Sequence, residues 1–133
     1  KELPDFISDD LDIILFPISI TRFEAQKAKA ELEKEGYKIG IANVVWLKPF
    51  TVKKEWERAI LNSKFGGIVL DDDYSHGVAT NLAYEIIKKT GKRIQIMGLK
   101  NKSAGFSKTT DNLPPNYLEI IDKVKQVVKT KRK

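Results

Sequence analysis

The sequence predicts an α/β fold, a largely parallel sheet with helices on both faces. Short apolar runs of strand length alternate along the chain with amphipathic segments of helical period. The runs are continuously apolar rather than alternating, the pattern of strands buried on both faces. Turn and cap residues punctuate the junctions between the two kinds of segment.

Asp12 to Ile18 (DIILFPI) is the first buried strand, with Pro17 near its end, where one missing ladder donor is tolerable. Thr21-Arg22-Phe23-Glu24 has capping-box spacing, and the helix behind it places Ala25, Ala28 and Leu32 on one face before stopping at Gly36. Ile39 to Trp46 is the second strand, rich in β-branched residues. Thr51 is the expected N-cap of a second helix with the inner stripe Val52, Trp56, Ala59, Ile60 and Ser63. Gly66 and Gly67 close that helix and open a third strand, Ile68 to Asp71. A third helix turns Ala79, Leu82, Ala83, Ile86 and Ile87 inward and ends at Gly91, and Arg93 to Leu99 is the fourth strand. A polar loop from about Lys100 to Leu113 precedes a last helix, expected to begin at Pro115. Its stripe is Tyr117, Ile120, Ile121, Val124, Val127 and Val128. The whole reads as one domain over 1–133, with 1–11 a linker or edge strand and 129–133 a basic tail.

Composition narrows the function classes. Hydrophobic residues make up 41% and charged residues 32%, so the chain has the means to bury a core rather than stay disordered. The absence of cysteine excludes disulfides, thiolate metal sites and cysteine nucleophiles, and fits the reducing cytoplasm where we expect the protein to reside. No apolar run reaches the roughly 18 residues of a membrane span, and the opening has no signal-peptide pattern. The first residue is Lys1 rather than Met, so a trimmed or excised piece is expected. The net charge of +6 sits entirely in residues 123–133, which hold six bases and no acid, while the rest of the chain balances. A basic end to a last helix complements the helix dipole, and nucleic acid is disfavoured as a partner.

The polar end of the third strand draws the most chemical interest. Asp71, Asp72 and Asp73 are oxygen donors suited to a hard cation, yet consecutive strand side chains alternate in direction and do not converge, so no metal site is assigned. His76, the single histidine, lies near the start of the third helix, where the dipole favours a neutral imidazole; no catalytic triad follows from its serine and aspartate neighbours. The first strand leads into Pro17-Ile18-Ser19-Ile20-Thr21 without a glycine, so the dinucleotide fingerprint is missing, as is the Walker-type phosphate loop. Trp46 and Trp56 read as core or interface aromatics.

Taken in order, these segments resemble the C-terminal domain shared by transketolases, 1-deoxyxylulose-phosphate synthases and the beta subunits of 2-oxoacid dehydrogenases. The resemblance is carried by Asp12–Ile18 and the helix ending Glu33-Lys34-Glu35-Gly36-Tyr37, and by Ile41-Ala42-Asn43-Val44-Val45-Trp46-Leu47-Lys48-Pro49-Phe50, similar to a strand running into a leucine-x-proline turn. It continues in Gly67-Ile68-Val69-Leu70-Asp71-Asp72-Asp73 followed by Gly77, and in Leu113-Pro114-Pro115 ahead of the terminal helix. Two departures stand out: Pro17-Ile18-Ser19 where the family often has a glycine, and Gly77-Val78 where it often has paired glycines.

The resemblance implies a three-layer α/β/α domain with a mixed, mostly parallel five-stranded sheet. It implies that thiamine diphosphate and Mg²⁺ are held by the pyrimidine- and diphosphate-binding domains of a homodimeric parent enzyme, with no cofactor, metal or catalytic residue in this domain. Asp73, Ser75, His76 and Gly77 would then lie near a domain interface or substrate channel. The domain would support dimer packing and border the substrate entrance without being catalytic alone. Two alternatives of other classes remain at this stage. One is a free-standing small-ligand or anion-binding module using the polar loop and the third helix's N-terminus; the other is a nucleic-acid accessory protein using the basic tail.

Overall fold

A computed structural model describes residues 5–44, 52–72, 77–98 and 115–132, the side chains of the last segment as far as residue 129. Four strands, β1 (Ile13–Pro17), β2 (Ile39–Ile41), β3 (Gly67–Leu70) and β4 (Ile94–Met97), form one sheet in the order β2-β1-β3-β4 with every pairing parallel. Four helices connect or follow them: α1 (Thr21–Lys34), α2 (Lys54–Asn62), α3 (Val78–Thr90) and α4 (Tyr117–Arg132). The expected α/β class and largely parallel sheet are present.

Alternation along β1 divides the core in two. Ile13 and Leu15 face α1 and α4, joining Ala25, Ala28, Leu32, Ile120 and Val124. Ile14 and Phe16 face the other layer, with Trp56 and Ile60 of α2 and Leu82 and Ile86 of α3. Phe16 and Trp56 meet edge to face, centroids 5.5 Å apart, a pairing that adds to simple burial. Helices thus cover both faces, the three-layer arrangement.

Gly66 and Gly67 are packing residues. Gly66 sits at φ 87°, and a Cβ there would lie 2.0 Å from the Arg93 carbonyl oxygen. A Cβ on Gly67 would lie 2.8 Å from the Ile14 carbonyl oxygen. Bare backbone at this point lets β3 enter between β1 and β4.

Several expectations are corrected. Among the described residues the sheet has four strands, not five, and its antiparallel contribution is the single Phe6–Ile41 bridge. Next to that bridge the Asp5 side chain accepts from the following outward donor of the edge, the Asn43 N–H, at 2.8 Å. Thr21 and Glu24 do not form a capping box: Thr21 Oγ1 donates to the carbonyls of Ile18 (2.8 Å) and Leu70 (3.3 Å), while Glu24 Oε1 accepts from the Tyr117 N–H at 2.7 Å. The reciprocal box lies instead at the start of α4, where Asn116 N–H donates to Glu119 Oε1 and Glu119 N–H to Asn116 Oδ1. Helix α4 therefore begins at Tyr117, after Pro115. Ile87 is 43% exposed, because the inner stripe of α3 is completed by Ala79, Leu82, Ala83 and Ile86. Helix α2 starts from Lys53 with no side-chain cap; Thr51, like Trp46, lies outside the described residues. Among the described residues no helix is long and apolar enough to cross a membrane.

Candidate functional site

Strand order reverses between β1 and β3: the chain leaves β1 toward β2 on one side and β3 toward β4 on the other. In an open parallel sheet the crevice for ligands and partner segments opens at the carboxyl ends of such a pair. Here that edge is built from Ile18, Ser19 and Thr21 after β1, Asn43 and Val44 after β2, and Asp71 and Asp72 after β3.

Backbone bonds carry the sheet past its formal ends. Ile18 N–H donates to Leu70 O at 3.1 Å and Val44 N–H to Pro17 O at 3.0 Å, so β1 and β2 stay joined up to the rim. Ser19 then turns the chain with φ 57°, in the left-handed region that a side chain disfavours. Its carbonyl accepts from the Arg22 N–H and from the Arg22 guanidinium, which fixes the turn. The Thr21 hydroxyl, fully buried, pins the start of α1 to the ends of both β1 and β3.

Three polar residues are buried at this rim: Thr21, Asn43 and Asp72, the last only 2% exposed. Asp71 is half-buried, and its N–H donates to Met97 O at 2.8 Å, which ties the rim to β4. The different burial of Asp71 and Asp72 agrees with the expected divergence of neighbouring strand side chains. Among the described residues no group of three or more acidic, histidine or cysteine side chains could hold a metal ion. Beside the crevice, Ile20 and Phe23 present exposed apolar side chains, and the Arg22 guanidinium lies 4.6 Å from the Phe23 ring centroid.

Of the sequence candidates, Gly77 caps α3 from the left-handed region at φ 79°, and its carbonyl accepts the Asn81 N–H. Asp73, Ser75 and His76 lie outside the described residues, as does the polar loop from Lys100 to Leu113. Sequence reasoning passed over Asn43 and Asp5. Asn43 left a signal, a polar residue within the apolar run Ile41-Ala42-Asn43-Val44; Asp5 left none, because its partners are distant in the chain.

A separate open groove of about 320 Å³ lies between β4 and α4, with Ile96, Met97 and Pro115 as apolar lining and Glu119, Asp122 and Lys123 at its rim. Among the described residues, two exposed groups have shifted pKa values. The Lys38 ammonium, bonded to Asp10, holds that carboxyl below its ordinary value, with help from the Ser8 hydroxyl. The Glu35 carboxylate, 2.9 Å away, raises Lys125 above the usual lysine value. Neither pair lies at the crevice. No family model matches the chain, and no curated protein matches it.

Proposed function

We propose that the chain is the C-terminal domain of a thiamine-diphosphate-dependent, transketolase-like enzyme, contributing dimer packing and the border of the substrate entrance rather than catalysis. The observation that carries this reading is the ordered set of motifs over nearly the whole chain. The strand-to-turn run Ile41–Phe50, the acidic strand end Gly67–Asp73 before Gly77, and Leu113-Pro114-Pro115 before the last helix follow one another at the family's spacing.

Local geometry lends support at one of the two departures. Where the family often carries a glycine after its first strand, Ser19 takes φ 57°, a backbone conformation that glycine adopts without cost. The exposed Ile20 and Phe23 at the same rim offer apolar surface to a neighbouring domain. In this reading the fifth, antiparallel strand of the family corresponds to the segment that carries Phe6. The partners are the pyrimidine- and diphosphate-binding domains of a cytoplasmic homodimer, which hold the thiamine diphosphate and Mg²⁺. Asp73, Ser75, His76 and Gly77 border the interface or substrate channel, and the parent reaction transfers or oxidises a carbanion-derived unit formed on the thiazolium.

The coding context of the chain tests the proposal. The reading frame upstream of Lys1 is expected to encode a pyrimidine-binding domain, with a GDG…NN diphosphate domain in the same chain or an adjacent gene. A calorimetric titration of the purified chain with thiamine diphosphate and Mg²⁺ is expected to show no binding. Micromolar affinity would sink the proposal.

A further inference from the structure

Composition places the charge surplus in residues 123–133, but the fold gives that segment a basic neighbour. Residues 86–98 hold Lys88, Lys89, Lys92 and Arg93 and no acid, so the two segments carry ten of the chain's 24 lysines and arginines and none of its 18 acids. Topology brings both to the amino end of the sheet. Helix α3 finishes at Thr90, and residues 91–93 lead into β4, where Arg93 O accepts the Gly67 N–H at the start of β3. Lys92 Nζ donates to Ser63 O, just before β3, at 2.9 Å. Helix α4 runs beside α1 in the same direction: the Tyr117 N–H meets Glu24 in the first turn of α1, and Lys125 Nζ meets Glu35 just past its end. The last two turns of α4, residues 125–132, therefore lie at the same end.

Acids at this end are already engaged. Asp10, Asp12, Glu35 and Glu85 each lie 2.9 to 3.8 Å from a lysine ammonium. Among the described residues, Lys89, Arg93 and Lys129 are exposed and have no such acid. Complementing helix dipoles does not account for them: Arg93 lies beyond α3, and α2, which ends at the same edge, has no base in its last turn. A protein interface would be poorly served here, because lysine is depleted from interfaces and the exposed Leu61 and Ile87 are single apolar side chains on separate helices. A membrane would require an apolar anchor besides the charge. The phosphates of a nucleic acid require only long, flexible cations. Among the described residues no ring at this end is ready to stack an unpaired base: Tyr37 and Phe65 pack on the core, and the Lys88 ammonium lies 5.1 Å from the Tyr84 centroid.

We propose that this end of the domain docks the phosphate backbone of a nucleic acid duplex, through Lys89, Arg93 and Lys129, without reading its sequence. Lys89 and Lys129 belong to helices on opposite layers, with Arg93 at the sheet between them, a span suited to several phosphates rather than one ion. The acidic end of β3 stands at the opposite edge, so only one end of the domain attracts the backbone. The inference does not depend on the proposed function.

Fluorescence anisotropy of the full chain with a labelled DNA duplex of about 20 base pairs tests it. Binding is expected at low salt and should weaken by roughly fortyfold or more between about 50 and 200 mM, the dependence of three phosphate contacts. Duplexes of unrelated sequence should bind within about twofold of one another. Lys89→Ala/Arg93→Ala is expected to weaken binding by about tenfold at low salt and to lower the salt slope by about 2, with Lys129→Ala lowering it by about 1. Lys27→Ala/Lys54→Ala removes the same charge from exposed positions elsewhere and should leave affinity within about twofold. Should the first pair fail to fold, Lys89→Glu is expected to lose more affinity than Lys54→Glu. Absence of binding at low salt, equal losses in the matched variants, or tighter binding to poly-glutamate or to phosphatidylserine vesicles than to the duplex would overturn the proposal.

Discussion

The two edges of the sheet are handled in opposite ways. At β2 the outward groups are met one by one, by an ammonium, a backbone bridge and a carboxylate. At β4 no described strand pairs on the outer side, and Ile96 stands 42% exposed beside the open groove against α4. The strands differ in kind as well: β2 is buried at all three residues, whereas in β4 only Ile94 is buried and the residues after it are partly or fully exposed. An edge whose side chains are buried on both faces has only its backbone left to attract a partner, so the protection must act on the backbone. An edge with exposed side chains can regulate its contacts through them.

The largest effect is expected where β4 is admitted to the sheet. Gly66→Val forces a β-branched residue into φ 87° and drives its Cβ against the Arg93 carbonyl, so β4 must separate from β3. We expect a loss of about 3–5 kcal/mol in urea denaturation. A variant of wild-type stability would show that β4 is not held by this close approach.

On the β2 side the cost is smaller, because a single carboxylate, that of Asp5, ties the Trp56 indole to the edge at Asn43. Trp56→Phe keeps the aromatic packing against Phe16 but removes the indole donor to Asp5, with an expected loss of about 1–3 kcal/mol. A double-mutant cycle with Asp5→Ala should recover much of that loss as coupling between the two residues. Additivity would mean that the tryptophan matters only for packing.

The smallest effect concerns the exposed ion pair between Asp10 and Lys38. The carboxyl of Asp10 is lowered in the folded protein by Lys38, so its contribution is present above its ordinary pKa of 3.8 and fades as pH falls through the lower folded value. The group is fully exposed, so added salt should suppress the effect. Ile41 amide exchange, corrected for intrinsic rate, is expected to rise slightly below that pH at low salt, and to lose this dependence in Asp10→Asn.

The elements that sequence made legible are those whose periodicity reports their own burial. The continuous runs of β1 and β3 and the stripes of α1 and α2 lie where their apolar residues require. Contacts with distant partners were hidden. Thr21 and Glu24 have the spacing of a capping box, but the fold offers Thr21 the Leu70 carbonyl and Glu24 the Tyr117 amide, and both take the remote partner. Asn116-x-x-Glu119 was legible from the same rule and is the box that forms. At the crevice, sequence located the acidic end of β3 but not the buried Thr21 and Asn43 beside it, since their burial depends on how three strand ends meet.

The hydrogen bond from Tyr117 to Glu24 also bears on how the chain is made. Its partners are 93 residues apart, so a ribosome finishes α1 long before the amide that Glu24 receives has been synthesised. The α2 and α3 layer can close over β1 while translation continues, because every described residue of its core cluster precedes residue 98. The α1 and α4 layer has to wait, with Ala25, Ala28 and Leu32 uncovered on one side until the final helix emerges. Nascent chains of this protein therefore pass through a stage with one finished face and one bare face, and that is the stage a chaperone would recognise.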